Sequence, residues 1–218
     1  MPKVGMEPVR RKALVDAALR AIGHHGSLSV TMSDIAREAG VSAALAHHYF
    51  GSKEQLLIET IRSLLQQLRA DAVTALRTAT TPAERLSAVI RVSFQSDQFA
   101  ADTIAAWLAF YVEAQRSDLV RRLLVIYARR LRSNLLADLK TLCPADDAGR
   151  IAEGAAAMID GLYIRQSLRS APLSIEASVA LVEDYVQGQL AMISAARTVK
   201  TAPHPPAGTF SPQAGRRG

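Results

Sequence analysis

Apolar residues recur every three or four positions along almost the whole chain, and this spacing predicts α-helices. The sequence lacks the alternating, β-branched runs that indicate strands. A first helix is expected over residues 8–25, because Pro8 suits an opening turn and Gly26 follows the last periodic residue. The pattern as a whole predicts an all-α protein.

A long amphipathic helix is the most prominent element of the pattern. It is expected to begin after Ser52, which can cap it, and to end near Ala79, and its continuous apolar stripe suits a helix that joins two parts of a molecule. Thr81-Pro82 then interrupts the helical pattern. The other predicted helices cover residues 31–38, 43–49, 83–99, 101–116, 118–141, 147–169 and 175–196. The segment 198–218, rich in Pro, Gly and Ala, is expected to be disordered.

Composition and charge narrow the class of protein. Hydrophobic residues make up 49% of the 218, yet no run approaches the roughly 18 apolar residues of a membrane-spanning helix, so no membrane partner is expected. The N-terminus has no apolar secretion signal, and the single cysteine, Cys143, suits a reducing compartment, so we expect a cytoplasmic protein. The net charge of +6 favours a polyanionic partner such as nucleic acid.

The residues from Thr31 to Phe50 meet the requirements of a helix-turn-helix. Thr31 can cap the first short helix, with Asp34 three positions later in a capping arrangement. Gly40 can adopt the positive φ of a tight turn, and Ser42 can cap the second helix. The motif predicts that the second helix enters the major groove of double-stranded DNA with its N-terminus first.

The candidate DNA contacts form two groups. The residues expected to face the bases are Ser42, Ala43, Ala44, His47 and His48. The residues expected to position phosphates are Thr31, Ser42, Tyr49 and Lys53. Because few of these are long hydrogen-bonding side chains, specificity would depend also on contacts with thymine methyl groups and on DNA shape.

Other kinds of chemistry find little support in the sequence. The paired histidines at 24–25 and 47–48 point about 100° apart on a helix and lack a Cys or carboxylate cluster, so no metal site is expected. The sequence has no Gly-rich phosphate loop and no nucleophile elbow, so we expect neither enzymatic activity nor a bound cofactor. A protein that coats DNA without sequence preference is an alternative, against which the helix-turn-helix and the non-basic C-terminal half argue.

Val41-Ser42 and the run from His48 to Leu57 closely resemble the signature of the TetR family of bacterial repressors, in which the recognition helix leads through Tyr-Phe and a Ser-Lys turn into a long linking helix. This resemblance implies a DNA-binding domain at 1–52, a ligand-binding and dimerisation domain at 53–197, and a homodimer on a roughly palindromic operator. His47 is a departure, because many members carry a tyrosine there, and this puts its phosphate contact in doubt.

The last two predicted helices fit the dimerisation role that the resemblance implies. Small residues that permit close helix approach are Ala155, Ala156, Ala157 and Gly161. The apolar face expected to meet the partner comprises Val179, Val182, Tyr185, Val186, Leu190 and Ile193. The alternative is that both helices serve only an internal core.

Residues 1–6, 41–50 and 127–135 are similar to a choline-responsive branch of the same family, which represses choline uptake and the conversion of choline to glycine betaine. A quaternary ammonium ion is best held by aromatic faces and a carboxylate. The candidate ligand-binding residues are Trp107, Phe110, Tyr111, Glu113, Asp160 and Tyr163. Two alternatives stay open: the aromatic residues form an ordinary core, or the protein represses an efflux or catabolic operon and answers to another small ligand.

Overall fold

The computed structural model describes residues 6–95 and 97–201, which form nine α-helices and no strand. The helices are α1 (Met6–His25), α2 (Met32–Glu38), α3 (Ala43–Phe50), α4 (Lys53–Thr78), α5 (Pro82–Ser93), α6 (Ala101–Glu113), α7 (Asp118–Leu142), α8 (Ala145–Ser167) and α9 (Ile175–Thr201). The predicted all-α class is confirmed. No helix within the described ranges is both long and apolar enough to cross a membrane.

Helices α1 to α3 form a three-helix head around a small core. Leu14, Ile22 and Ile35 are fully buried there, and Gly26 ends α1 with a φ of 61° as predicted. Helix α1 also packs against α4 and α6. As a result, the core of the head continues without a break into the core of the remaining helices.

Helices α4 to α9 enclose the second part of the core. Helix α5 packs against α4, α7 and α9, while α8 packs against α6, α7 and α9. Two polar contacts hold α5 in place: Arg85 Nε donates to Asp138 Oδ1 at 2.8 Å, and the Ser87 hydroxyl donates to Glu183 Oε1 at 2.5 Å. These contacts fix α5 against α7 and α9.

Helix α5 is shorter than predicted, because it ends at Ser93 rather than at residue 99. Phe94 leaves the helix with a φ of −116° and is fully buried, and its ring meets that of Phe99 edge-on at 5.3 Å. Burying a phenylalanine side chain stabilises a fold by about 1.5–3 kcal/mol, whereas the helix propensity of one ordinary residue is about 0.7 kcal/mol or less. Aromatic burial therefore outweighs continuation of the helix.

Helices α6 and α9 also end at positions other than those predicted. Helix α6 ends at Glu113 rather than at residue 116, and α9 continues to Thr201 rather than ending at 196. The segment predicted to be disordered thus overlaps α9 at 198–201. Its remainder, residues 202–218, lies outside the described residues.

Glu84 completes a capping box at the start of α5 and carries a strongly lowered pKa. Its carboxylate accepts hydrogen bonds from the N–H of Thr80 at 2.8 Å, from the N–H of Thr81 at 3.1 Å and from the Thr80 hydroxyl at 2.8 Å. These bonds stabilise the ionised form and lower the pKa of Glu84 from 4.5 to about 2.

The stability that Glu84 contributes should be lost in acid. Because its pKa is lower in the folded chain than in the unfolded chain, the contribution is complete above a pH of about 4.5 and disappears as the pH falls to about 2. We expect Glu84→Gln to lower the Tm at pH 7 and to flatten the fall of Tm through this pH window, as measured by thermal unfolding. Glu176→Gln, at an exposed glutamate of α9, is the control. Parallel pH profiles for wild type and Glu84→Gln would contradict the prediction.

Candidate DNA-binding surface and ligand cavity

Helices α2 and α3 form the helix-turn-helix through local hydrogen bonds. The Thr31 hydroxyl accepts from the N–H of Asp34 at 3.1 Å, and Asp34 Oδ2 accepts from the N–H of Thr31 at 3.0 Å, so the predicted capping box is confirmed. Gly40 has a φ of 65°, which L side chains rarely adopt. Ser42 Oγ accepts from the N–H of Leu45 at 3.2 Å and caps α3. The turn and both caps are therefore as the sequence predicts.

The exposed face of α3 carries three of the predicted base contacts. Ala44, His47 and His48 are exposed and lie within one turn of one another, Ser42 is exposed at the start of the helix, and Ala43 is half-buried. His47 Nδ1 lies 3.0 Å from the carbonyl oxygen of Gly51, within hydrogen-bonding distance. This contact orients the imidazole ring along the end of α3.

Two of the predicted phosphate contacts are only partly exposed, and one of them, Lys53, makes a hydrogen bond within the head. Tyr49 and Lys53 are half-buried, and Lys53 Nζ donates to the carbonyl oxygen of Leu28 at 3.3 Å. Arg11, which the sequence analysis did not single out, donates to the carbonyl oxygen of Tyr49 and lies 4.4 Å above the centre of the Phe50 ring. Lys53 thus links the start of α4 to the head, and Arg11 links α1 to the end of α3. Of the predicted phosphate contacts, Thr31 and Ser42 remain exposed.

An aromatic cavity of about 120 Å³ lies between α6, α7 and α8. Its walls are formed by Trp107, Leu108, Tyr111, Tyr127, Asp160, Tyr163 and Ile164. The rings of Trp107 and Tyr127 lie 5.2 Å apart in a tilted arrangement, and the Tyr163 hydroxyl donates to the carbonyl oxygen of Ser93. The aromatic walls are therefore held by contacts with one another and with α5.

Asp160 is the carboxylate in this aromatic cavity. The Tyr127 hydroxyl donates to Asp160 Oδ1 at 3.4 Å. Burial raises the pKa of Asp160, and hydrogen bonds from the Tyr111 and Tyr127 hydroxyls oppose that rise. Burial and the nearby Asp160 charge raise the pKa of Tyr127 well above 10.0, which keeps its hydroxyl a donor. The site thus presents one negative charge within an apolar, aromatic surface and is suited to a cation.

The structure brings together four of the six predicted ligand residues. Trp107 and Tyr111 on α6 and Asp160 and Tyr163 on α8 line the aromatic cavity. Phe110 and Glu113 do not line it. Successive residues of a helix point about 100° apart, and the side of α6 that faces the cavity carries residues 107, 108 and 111. Phe110 is fully buried elsewhere in the core.

Tyr127 lines the aromatic cavity and was missed by sequence reasoning. It lies on the same stripe of α7 as the buried Val120, Leu124, Leu131 and Leu135. A tyrosine within a buried apolar stripe must find a partner for its hydroxyl. This need for a hydroxyl partner is the feature of the sequence that could have identified Tyr127.

The face predicted for dimerisation is partly buried within the protomer, and its remaining residues, Tyr185, Leu190 and Ile193, are half-buried. Val179, Val182 and Val186 are buried within the protomer, because α9 packs against α8 and α5. These three valines therefore belong to the internal core, as the alternative interpretation had it. Among the residues whose burial is described, the large apolar side chains that α8, the turn after it and α9 expose are Ile164, Leu168, Leu181 and Met192.

Two family models match the chain. The model for bacterial regulatory proteins of the tetR family matches residues 14–60, which span most of the head and the start of α4. The model for the C-terminal part of BetI-type transcriptional repressors matches residues 82–191, from α5 into α9. Together the two matches cover the helix-turn-helix and the aromatic cavity.

Similar proteins are regulators of transcription. The HTH-type transcriptional regulator BetI of Rhizobium meliloti (strain 1021) is 80% identical over 190 residues, which span 87% of this chain and 94% of that protein. The protein of the same name from Agrobacterium fabrum is 77% identical over 190 residues, spanning 87% of this chain and 92% of that protein.

Solved structures share the fold. A transcriptional regulator from Pseudomonas aeruginosa PAO1 has a TM-score of 0.72 at 26% identity, covering 84% of this chain and 91% of its own. A regulator from Saccharomonospora viridis, solved in complex with choline, has a TM-score of 0.71 at 24% identity, covering 81% of this chain and 95% of its own.

The chain belongs to the TetR family of bacterial transcriptional regulators. Within that family it is of the BetI type, a DNA-binding repressor and not an enzyme, as the sequence predicts.

Proposed function

We propose that this protein represses the genes for choline uptake and glycine betaine synthesis and that choline modulates its operator binding. The observation that carries the proposal is the aromatic cavity, in which four aromatic side chains surround the Asp160 carboxylate. Its volume of about 120 Å³ suits a compact ligand, since an apolar cavity of ~150 Å³ is known to hold benzene. A small organic cation matches the cavity in both size and charge.

Choline fits the chemistry of the cavity walls. Its quaternary ammonium group cannot donate a hydrogen bond, so aromatic faces and a nearby negative charge are what hold it. Trp107 Nε1 is buried without a hydrogen-bond partner among the described residues, and the choline hydroxyl oxygen is a suitable acceptor for it. The regulator from Saccharomonospora viridis, which shares the fold and was solved in complex with choline, supports the same ligand class.

The head binds the operator through α3 in the major groove. In this proposal Ser42, Ala43, Ala44, His47 and His48 face the bases. The residues that position phosphates are Thr31, Ser42, Tyr49 and Lys53. Residues 1–52 form the DNA-binding domain and 53–197 the ligand-binding and dimerisation domain.

A second copy of the chain covers the exposed apolar side chains of α8, of the turn after it and of α9, which are Ile164, Leu168, Leu181 and Met192. The resulting homodimer presents two α3 helices to half-sites about 34–36 Å apart, so both heads bind only when their spacing matches one turn of DNA. A ligand that favours another spacing lowers operator affinity.

Helix α6 connects the ligand to the head. Its cavity face carries Trp107 and Tyr111, while Asp102 at its start touches α1, where His24 Nε2 lies 3.6 Å from Asp102 Oδ2. Choline that moves α6 therefore moves α1 directly. This route acts beside the long helix α4, which also contacts α1.

His48→Ala is expected to weaken operator binding about tenfold while leaving the fold and choline affinity unchanged. His48 is exposed on α3, and loss of one base contact costs about 1–3 kcal/mol. The measurement is a gel-shift titration at fixed salt, because affinity for DNA depends on salt. His25→Ala, at an exposed histidine outside α3, is the matched control. Equal losses in both variants would exclude a specific contact by His48.

The test of the proposed function is operator binding by the purified protein, with the DNA upstream of its own gene and of choline-uptake genes as probes. We expect specific binding that choline, and not ethanolamine at the same concentration, alters by about 5–150-fold. If operator binding is specific but choline does not change it, choline is not the ligand, and the alternative of an efflux or catabolic repressor with another small ligand is favoured. Absence of any footprint at choline genes would overturn the proposed targets.

A further inference from the structure

A second cavity, of about 270 Å³, lies between α4, α5 and α7. Its inner walls are apolar and come from Leu68, Ala72, Val89, Val92 and Leu131. Tyr127 forms part of the walls of both this cavity and the aromatic cavity. The volume is slightly below the range of roughly 300–1,000 Å³ that is typical of small-molecule sites, which suits a ligand of modest size.

Two arginine side chains give this second cavity a positive charge, which an ordinary gap in the apolar core would lack. Arg69 of α4 and Arg130 of α7 both line it and are exposed, and neither takes part in a hydrogen bond or ion pair among the described residues. No acidic side chain is among the described residues that line the cavity. The two guanidinium groups therefore have unused donors beside an apolar space, which favours an anion.

We propose that the second cavity binds a small organic anion that carries a carboxylate on a short apolar body. Arg69 and Arg130 bind the carboxylate, since a guanidinium group matches its geometry with paired N–H donors. The apolar body packs against α4 and α5, where burial supplies most of the binding free energy. This ligand is opposite in charge to the cation that suits the aromatic cavity.

The shared Tyr127 makes the two cavities interdependent. On one side its hydroxyl donates to Asp160 and its ring contacts Trp107. On the other side, the same side chain meets the ligand that we propose. A carboxylate ligand that shifts Tyr127 changes the affinity of the aromatic cavity, and by linkage a cation there changes the affinity for the carboxylate by the same factor.

The experiment is isothermal titration calorimetry of the full-length protein with octanoate, without choline and without DNA. We expect saturable binding of one octanoate per protomer, and no comparable binding of octan-1-ol, which has the apolar body without the charge. Arg69→Gln and Arg130→Gln should each raise the Kd about tenfold or more, because a charge-assisted hydrogen bond is lost. Arg129→Gln, at a neighbouring arginine that is also exposed but does not line the cavity, should bind octanoate as wild type does.

A second variant locates the apolar body. Ala72→Phe places a ring into the cavity from α4 and should abolish octanoate binding, with circular dichroism and dimer mass as checks that the fold persists. Absence of saturable binding to the wild type by octanoate and by benzoate would overturn the proposal. Equal affinity in wild type, Arg69→Gln and Arg130→Gln, or full binding by Ala72→Phe, would also overturn it. None of these outcomes depends on a choline response.

Discussion

Asp160→Asn is expected to raise the Kd for choline about 100-fold and to abolish the choline effect on operator binding. Asp160 supplies the carboxylate of the aromatic cavity, and its Coulombic attraction for a cation at about 4 Å, about 4 kcal/mol for an effective dielectric constant of about 20, exceeds the ~2.8 kcal/mol that a 100-fold change requires. Asparagine keeps the size of the side chain and can still accept the hydrogen bond from the Tyr127 hydroxyl. Operator affinity without choline should therefore stay close to that of wild type.

Glu113→Gln is the matched control for Asp160→Asn, because it removes the carboxylate that lies on α6 but outside the aromatic cavity. Choline titrations by calorimetry and by gel shift should distinguish the two variants clearly. Loss of choline binding in Glu113→Gln with retention in Asp160→Asn would reverse the assignment of the anionic group.

Gly23→Ala is expected to displace the head from α6, lowering the Tm by several degrees and operator affinity by about 5–150-fold. A Cβ at position 23 would lie 2.5 Å from both Cα and Cβ of Asp102, and the backbone has to move to admit it. Overpacking of this kind costs about 1–3 kcal/mol, which the gain in helix propensity of about 1 kcal/mol offsets only in part. Thermal unfolding and gel shift measure the two effects.

Gly149→Ala controls for the effect of alanine on a helix. A Cβ at position 149 would meet its nearest neighbour, Nη2 of Arg132, at an ordinary 3.7 Å, so we expect an unchanged or slightly higher Tm. If Gly23→Ala keeps the Tm and operator affinity of wild type, the contact between α1 and α6 can rearrange at little cost in free energy. A movement of α6 on ligand binding would then not displace α1.

The helix-turn-helix could be predicted residue by residue because its rules are local. The capping box of Thr31 and Asp34, the positive φ of Gly40 and the cap by Ser42 each involve residues within a few positions of one another. Helix ends that depend on distant contacts were predicted less well. The early end of α5 follows from the burial of Phe94 against Phe99 and Tyr163.

The aromatic cavity could be predicted only in part, because it combines three helices. Periodicity identifies which α6 residues share a side but does not say which side faces α7 and α8, and so it grouped Phe110 with Trp107. Asp160 and Tyr163 were predicted because they lie on another helix that could face α6. Tyr127 and the contact between Gly23 and Asp102 join residues far apart in sequence, which a single chain does not reveal.

The packing of α1 against α6 limits how such regulators can be recombined. The boundary that we propose near Ser52 would divide the chain by role, but α1 buries part of its surface against α6 and shares one continuous core with the helices after that boundary. A head transplanted from another repressor would bring its own α1 to a surface shaped for Gly23. We therefore expect functional chimeras to need the first turns of α6 exchanged together with the head. The segment that must be transferred as one piece is larger than the segment that contacts DNA.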